Sequence, residues 1–198
     1  MNVNAARAQN KSATLVTKTW LCFCAWTLFF ASVHAAENGE AQNESLIRAA
    51  VVFGILRFVD WPEQHAPKDI INLCEYGESE VAEAIRSLNG SRKVGKRKVV
   101  VKTLNKTNTT ELCHALLIGE ESPAIPLQKT PALAFCDNCE QEYRDMTSVV
   151  LKRNENLVQF EVNLDHLDQQ DIRLSASVIE LASKCYSSNP SIKGCSND

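Results

Sequence analysis

No Gly-x-x-x-x-Gly-Lys-Ser/Thr run occurs in the 198 residues, which excludes a P-loop nucleotide site. No Gly-x-Ser-x-Gly elbow occurs either, so the local signature of an α/β-hydrolase nucleophile is missing. Positive charge is not in surplus. Twenty-one Lys and Arg stand against 24 Asp and Glu, a net charge of −3, and such a chain does not recruit nucleic acid by its overall field. Past residue 33 no apolar run approaches the roughly 20 residues that span a bilayer. There is no internal repeat and no low-complexity tract.

What is present begins with an export pattern. Residues 1–18 carry Arg7, Lys11 and Lys18 and no acid, and an apolar run, Trp20 to Phe30, follows. Val33 and Ala35 then set the small-residue spacing of a signal peptidase site, so residues 1–35 read as a cleaved signal peptide. Trp20 to Val33, at 14 residues, is short for a membrane anchor. Cleavage leaves 36–198 as a single exported domain, with a charge near −6 and a length that supports a real core. Six cysteines remain: Cys74, Cys113, Cys136, Cys139, Cys185 and Cys195. An even number in an exported chain points to disulfides, with 15 possible pairings.

The pattern along the mature chain is α/β. Residues 36–43 are polar and read as loose, with Asn43 placed to cap a helix from Glu44 to the Pro62 stop. Gly54 inside it suggests close packing on the sheet. Near-continuous apolar runs at 69–77, 113–119 and 131–136 read as strands buried on both faces. Ser79 caps a helix that closes at Gly90, and a basic turn leads into a strand ending at 104. Residues 148–164 alternate, turn at 153–156 and alternate again, a late β-hairpin that sends Glu161 outward. Residues 164–172 read as a short helical turn or loop. Ser175 caps a last helix with Val178, Leu181, Ala182 and Cys185 on one side. The expected fold is a mixed, largely parallel sheet flanked by helices.

The chemical signals are sparse. His65, His114 and His166 have no convincing serine and acid beside them, and no catalytic residue, metal ligand set or cofactor is implied. Cys136-Asp137-Asn138-Cys139 admits a redox motif, half a metal site or a local staple. A redox pair wants its first thiol at a helix N-terminus, whereas Asp137, Glu140 and Glu142 here oppose a thiolate. A metal site needs two more ligands, and only His114 is placed near a strand. These residues favour a structural disulfide. Arg92, Lys93, Lys96, Arg97 and Lys98 form the one basic run, a solvated turn or an anion- or partner-facing rim. Phe58 and Trp61, and Leu157 and Phe160 in the hairpin, are the candidate partner contacts, with Trp61 equally readable as core.

Several segments, in order, carry a resemblance: FVDWP (58–62), INLCEYG (71–77), GKRKVVVK (95–102), CHALLIG (113–119), PALAFCDN (131–138), LVQFEVNL (157–164) and IRLSASVIELA (172–182). Together they resemble the YfiR-like family of exported bacterial regulators. The resemblance implies a non-catalytic periplasmic α/β domain that represses a membrane-bound diguanylate cyclase by binding its periplasmic sensor segment. It further implies sequestration by an OmpA-like outer-membrane lipoprotein, a homodimer, and lowered cyclic di-GMP and biofilm. Cys74 and Cys113 match the family's long-range pair. Cys136 and Cys139 match its second pair only in part, with fewer residues between them, and YRDMT (143–147) replaces a Gly-rich stretch. Cys185 and Cys195 look like a local addition. The other readings are an exported small-ligand-binding domain and a thiol–disulfide redox protein.

Overall fold

The computed structural model describes residues 34–88, 90–104, 113–122, 131–154 and 157–189. The signal-peptide reading up to residue 33 and Cys195 lie outside these. The chain divides at Gln42/Asn43, and the architecture below belongs to Asn43–Asp198.

Helix α1 runs from His34 to Leu56. It therefore starts nine residues before the Asn43 cap and continues through the stretch read as loose. Polar composition misled here: 34–45 is rich in Ala, Glu and Gln, lacks proline, and favours helix although it has little to bury. The helix also stops earlier than the Pro62 signal. Val59–Asp60 is instead strand β1, paired with β9 (Arg173–Leu174) in a two-stranded ribbon. Gly54 is exposed and an added Cβ there meets nothing within 4 Å, so close packing is not its role.

The main sheet has eight strands in the order β10-β8-β7-β6-β5-β2-β4-β3. These are β2 (Ile70–Tyr76), β3 (Lys93–Val94), β4 (Arg97–Thr103), β5 (Ala115–Ile118), β6 (Leu133–Asp137), β7 (Val149–Asn154), β8 (Leu157–Asn163) and β10 (Lys184–Tyr186). Strands β4, β2, β5, β6 and β7 are mutually parallel. The β7–β8 hairpin adds an antiparallel pair, β3 pairs antiparallel with β4, and β10 runs parallel to β8 at the other edge. The architecture is α/β with a mixed, mostly parallel sheet.

Alternation divides the sheet into two faces. One face carries Leu73, Val99, Leu117, Phe135, Leu151 and Val162, among others, and packs against α1 and α2 (Glu80–Ser87) through Val52, Leu56, Val81 and Ile85. Each fully buried large side chain of this kind contributes roughly 1.5–3 kcal/mol. The opposite face carries Cys74, Tyr76, Leu116, Ile118, Cys136 and Val150, and is closed by Tyr143 of α3 (Gln141–Arg144) and by two disulfides, Cys74–Cys113 and Cys136–Cys139. Among the described residues no long helix lies over the second face, and the sulfur bridges do part of the covering.

The C-terminal part departs from the sequence pattern. After α4 (Leu164–Gln169), helix α5 spans only Ala176–Leu181, and its expected continuation through Cys185 is β10. Ala182 takes an extended conformation, and Ser183 N donates to Phe160 O at 2.9 Å. The open edge of β8 offers pairing that outweighs local helix preference. Leu181 is left 76% exposed instead of facing the core. Cys185 is disulfide-bonded, and its expected partner, Cys195, is among the residues not described.

Candidate functional site

Strand order reverses between β2 and β5. From β2 the chain passes through α2 to β4 on one side, then returns to β5 on the other. In open α/β sheets ligands enter the crevice at such a switch point, at the carboxyl ends of the strands. Here β2 ends at Gly77-Glu78-Ser79 and β5 at Gly119-Glu120.

The two loops are joined to each other. Glu78 N donates to Glu120 O at 3.0 Å, and Glu120 N donates to Glu78 O at 2.9 Å. A Cβ on Gly119 would fall 1.8 Å from Glu78 O, and one on Gly77, whose φ is +75°, 2.3 Å from Glu120 O. Glycine is what permits this approach. Ser122 Oγ donates to Tyr76 O at 2.8 Å and completes the closure.

The N-terminus of α2 opens on the same crevice, where a helix could offer its free N–H groups to a phosphate. Two of those groups, on Val81 and Ala82, are taken. Ser79 is the N-cap and its Oγ accepts from Ala82 N at 3.0 Å. Asp137, at the end of β6, accepts from Ser79 Oγ at 2.7 Å and from Val81 N at 3.1 Å. Its other oxygen accepts from Arg48 of α1, which also pairs with Glu80 at 2.5 Å. Glu44, 3.6 Å from Arg48 Nε, continues the network to Arg153 of β7 at 2.8 Å. Asp137 is 2% exposed. Burial pushes its carboxyl above the ordinary 3.8, against the pull of Arg48, the Ser79 hydroxyl and the Val81 N–H.

The remaining cleft, about 490 Å³, is lined by Glu75, Glu78, Glu80, Glu83, Glu120 and Asp137 against Arg48 and Arg86. Six carboxylates facing two guanidinium groups repel nucleotides and phosphates. Arg86 is engaged with Glu75 and donates to Thr103 Oγ1 at 2.9 Å, tying α2 to β2 and β4. No cluster of three metal-ligating side chains occurs among the described residues.

The other ionisable groups are structural in the same sense. Ser148 Oγ and His166 Nδ1 lie 2.9 Å apart, but both residues are buried, with Ser148 fully enclosed. Glu161, expected to point outward to solvent, is half-buried and engages Lys152 at 2.6 Å and the Tyr186 hydroxyl at 3.1 Å. Strand β10 lies beside β8 in the sheet and brings Tyr186 to Glu161, so alternation along the hairpin alone could not tell water from a polar cluster. His114 Nδ1 accepts from Asn72 N at 3.0 Å.

Burial lowers the pKa of both His114 and His166 below 6.5, with Lys102 next in rank for His114. Each unfolded-state imidazole binds its proton more readily than the folded one. Their contribution to stability is therefore complete above pH 6.5 and is lost as pH falls through the lowered folded values. Urea midpoints measured from pH 7.5 down to 5 should decline, and the decline should be smaller in His166→Gln; a flat profile in the wild type contradicts this assignment.

The four candidate partner residues separate into two groups. Phe58 is 50% exposed in the turn before β1, where its carbonyl accepts from Ser175 N. Leu157 is 65% exposed, opposite Asn154 at the hairpin turn. Trp61 is 7% exposed and its indole donates to His114 O at 3.2 Å, which makes it a core side chain. Phe160 sits opposite Leu151 on the helix-covered face and packs on the main core. The Arg153–Glu44 ion pair brings the hairpin end to α1, where Leu46 and Ile47 are also exposed. The Cys136–Cys139 bridge is buried on the opposite face, out of reach of a thiol attacking from solvent.

Fold and site define a disulfide-stapled α/β domain whose switch-point crevice is acidic and crossed by its own ion-pair network. The chain belongs to the YfiR/HmsC-like family, whose pattern matches residues 45–183. That family is a class of regulatory domains, and its members are generally periplasmic. No curated protein sequence matches the chain.

Proposed function

We propose that this protein is a periplasmic, non-enzymatic regulator. It binds the periplasmic sensor segment of a membrane-bound diguanylate cyclase and holds the enzyme in a low-activity state, which lowers cyclic di-GMP and biofilm formation. The observation that carries this reading is family membership over residues 45–183. The acidic crevice supports it, because carboxylates line it and its own side chains cap the helix end there, which suits neither a nucleotide nor a phosphate. Export by a signal peptide of residues 1–35, a single domain at 36–198, homodimerisation, and release by an OmpA-like outer-membrane lipoprotein belong to the same reading. The contact surface is assigned to exposed Leu157 with Leu46 and Ile47, and to Phe58.

Deleting the gene in a strain that carries a neighbouring GGDEF-domain membrane protein should raise cyclic di-GMP and attachment, and the wild-type gene should restore both. Leu157→Asp should keep stability within about 0.5 kcal/mol, since the side chain is exposed. It should weaken partner binding by about 2 kcal/mol and fail to restore repression. Unchanged cyclic di-GMP on deletion contradicts the reading; full complementation by Leu157→Asp removes only the assigned surface.

A small polar ligand is the second reading. It is favoured by a cleft of about 550 Å³ lined by Arg144, Lys152, Glu161, His166 and Tyr186. Such a ligand would modulate repression from the hairpin side of the sheet.

A further inference from the structure

Strand β4 has an open side. Lys98 N donates to Asp69 O at 3.0 Å and Leu104 N to Glu75 O at 2.8 Å, so the even-numbered residues of this strand turn their peptide groups toward β2. The odd-numbered residues turn theirs away. Strand β3 takes up that outward side at Arg97, and the Lys93–Lys98 register sets Arg92 opposite Val99 at the next outward position. Val101 and Thr103 therefore present outward N–H and C=O groups that have no strand partner among the described residues.

The side chains along this edge carry one sign of charge. Arg92, Lys93, Lys96, Lys98 and Lys102 are exposed, and none is ion-paired with a carboxylate among the described residues. Lys98, Val100 and Lys102 share a face and alternate cation, apolar, cation. Beside them Ile70, opposite Lys98, is 46% exposed and Val100 is 39% exposed.

We propose that the outer edge of β4 is a strand-addition site for an extended acidic segment of a partner protein. The backbone groups of Val101 and Thr103 supply the ladder, and the lysines select carboxylate side chains on the added strand. A second copy is disfavoured, because β4 against β4 opposes lysine to lysine. An anionic lipid surface matches the charge but gives the open peptide groups no strand to pair with. This edge is remote in strand order from the β7–β8 hairpin, and the proposal stands or falls independently of the repressor reading.

The test uses a short peptide of alternating glutamate and valine, its lysine–valine counterpart, and vesicles of phosphatidylglycerol. The glutamate peptide should bind and slow amide exchange at Val101 and Thr103. Its affinity should fall at least about tenfold when ionic strength rises from about 50 to 300 mM. The double variant Lys98→Glu/Lys102→Glu, confined to exposed positions and checked for an unchanged melting curve, should lose this binding and gain binding of the lysine peptide. The proposal is overturned by no binding up to about 1 mM, by protection elsewhere, by affinity indifferent to salt or charge reversal, or by vesicles binding at this edge where the peptide does not.

Discussion

Replacing Asp137 with alanine should cost about 3–5 kcal/mol, the range seen when one partner is taken from a buried ion pair. The substitution removes the acceptor of three donors at once: Arg48, the Ser79 hydroxyl and the Val81 N–H. Arg48, itself mostly buried, keeps only Glu44 and the exposed Glu80. The α2 N-terminus loses an anion where its dipole favours one. For a domain of this size each kcal/mol moves the melting midpoint by about 2–4 °C, so the drop should be readily measured. Asp137→Asn should be milder, and its gap to wild type should change with pH. Because burial raises the folded-state pKa above 3.8, the folded chain favours ionisation of this carboxyl less than the unfolded chain does. That difference contributes stability below 3.8 and is lost as pH rises through the raised folded value, so the amide variant should gain on wild type over that window. A loss under 1 kcal/mol in the alanine variant would show that the crevice is not held by this carboxylate.

Replacing Cys74 and Cys113 together with alanine should cost about 4 kcal/mol, against about 2 kcal/mol for Cys136 and Cys139. The sequence separations are 39 and 3 residues, and a longer closure restricts the unfolded chain more. The longer bridge encloses α2, β3 and β4, the whole crossover on one side of the switch point. The shorter one encloses only Asp137 and Asn138. Asp137 does not depend on that bridge for its aim, since it is paired with Leu151 in the β6–β7 ladder. Urea unfolding of the two double variants gives the ranking; equal losses, or free thiols in aerobically purified protein, contradict it.

The parts of the fold that were legible are those where local pattern and tertiary role agree. The apolar runs around Leu73, Leu117 and Phe135 read as strands because both faces of each are covered. The hairpin was legible because its two faces differ, one packed on the core and one polar. The Ser79 cap was legible because capping is local. Strand β10 was not, because its conformation is decided by an edge of β8 more than twenty residues earlier in the chain. The crevice network was not legible either. Arg48 and Asp137 are 89 residues apart, and nothing local links them. Two signals were present all the same: Arg48 falls within the apolar stripe of α1 beside Ala49 and Val52, and Asp137 ends an otherwise apolar strand. A charge at a core position of one element and an opposite charge at a core position of another are a pair worth testing.

The central claim is binding to a cyclase sensor segment, and one titration addresses it most directly. The purified, oxidised chain is titrated against the purified periplasmic segment of a membrane-bound diguanylate cyclase from a strain in which the two genes are neighbours, by calorimetry, with Leu157→Asp as the second sample. A dissociation constant in the low micromolar range or tighter, about −8 kcal/mol, weakened by Leu157→Asp without change in melting temperature, is the result the account predicts. No heat of binding with either sample at tens of micromolar, from protein shown by mass spectrometry to carry the Cys74–Cys113 and Cys136–Cys139 bridges, would contradict it.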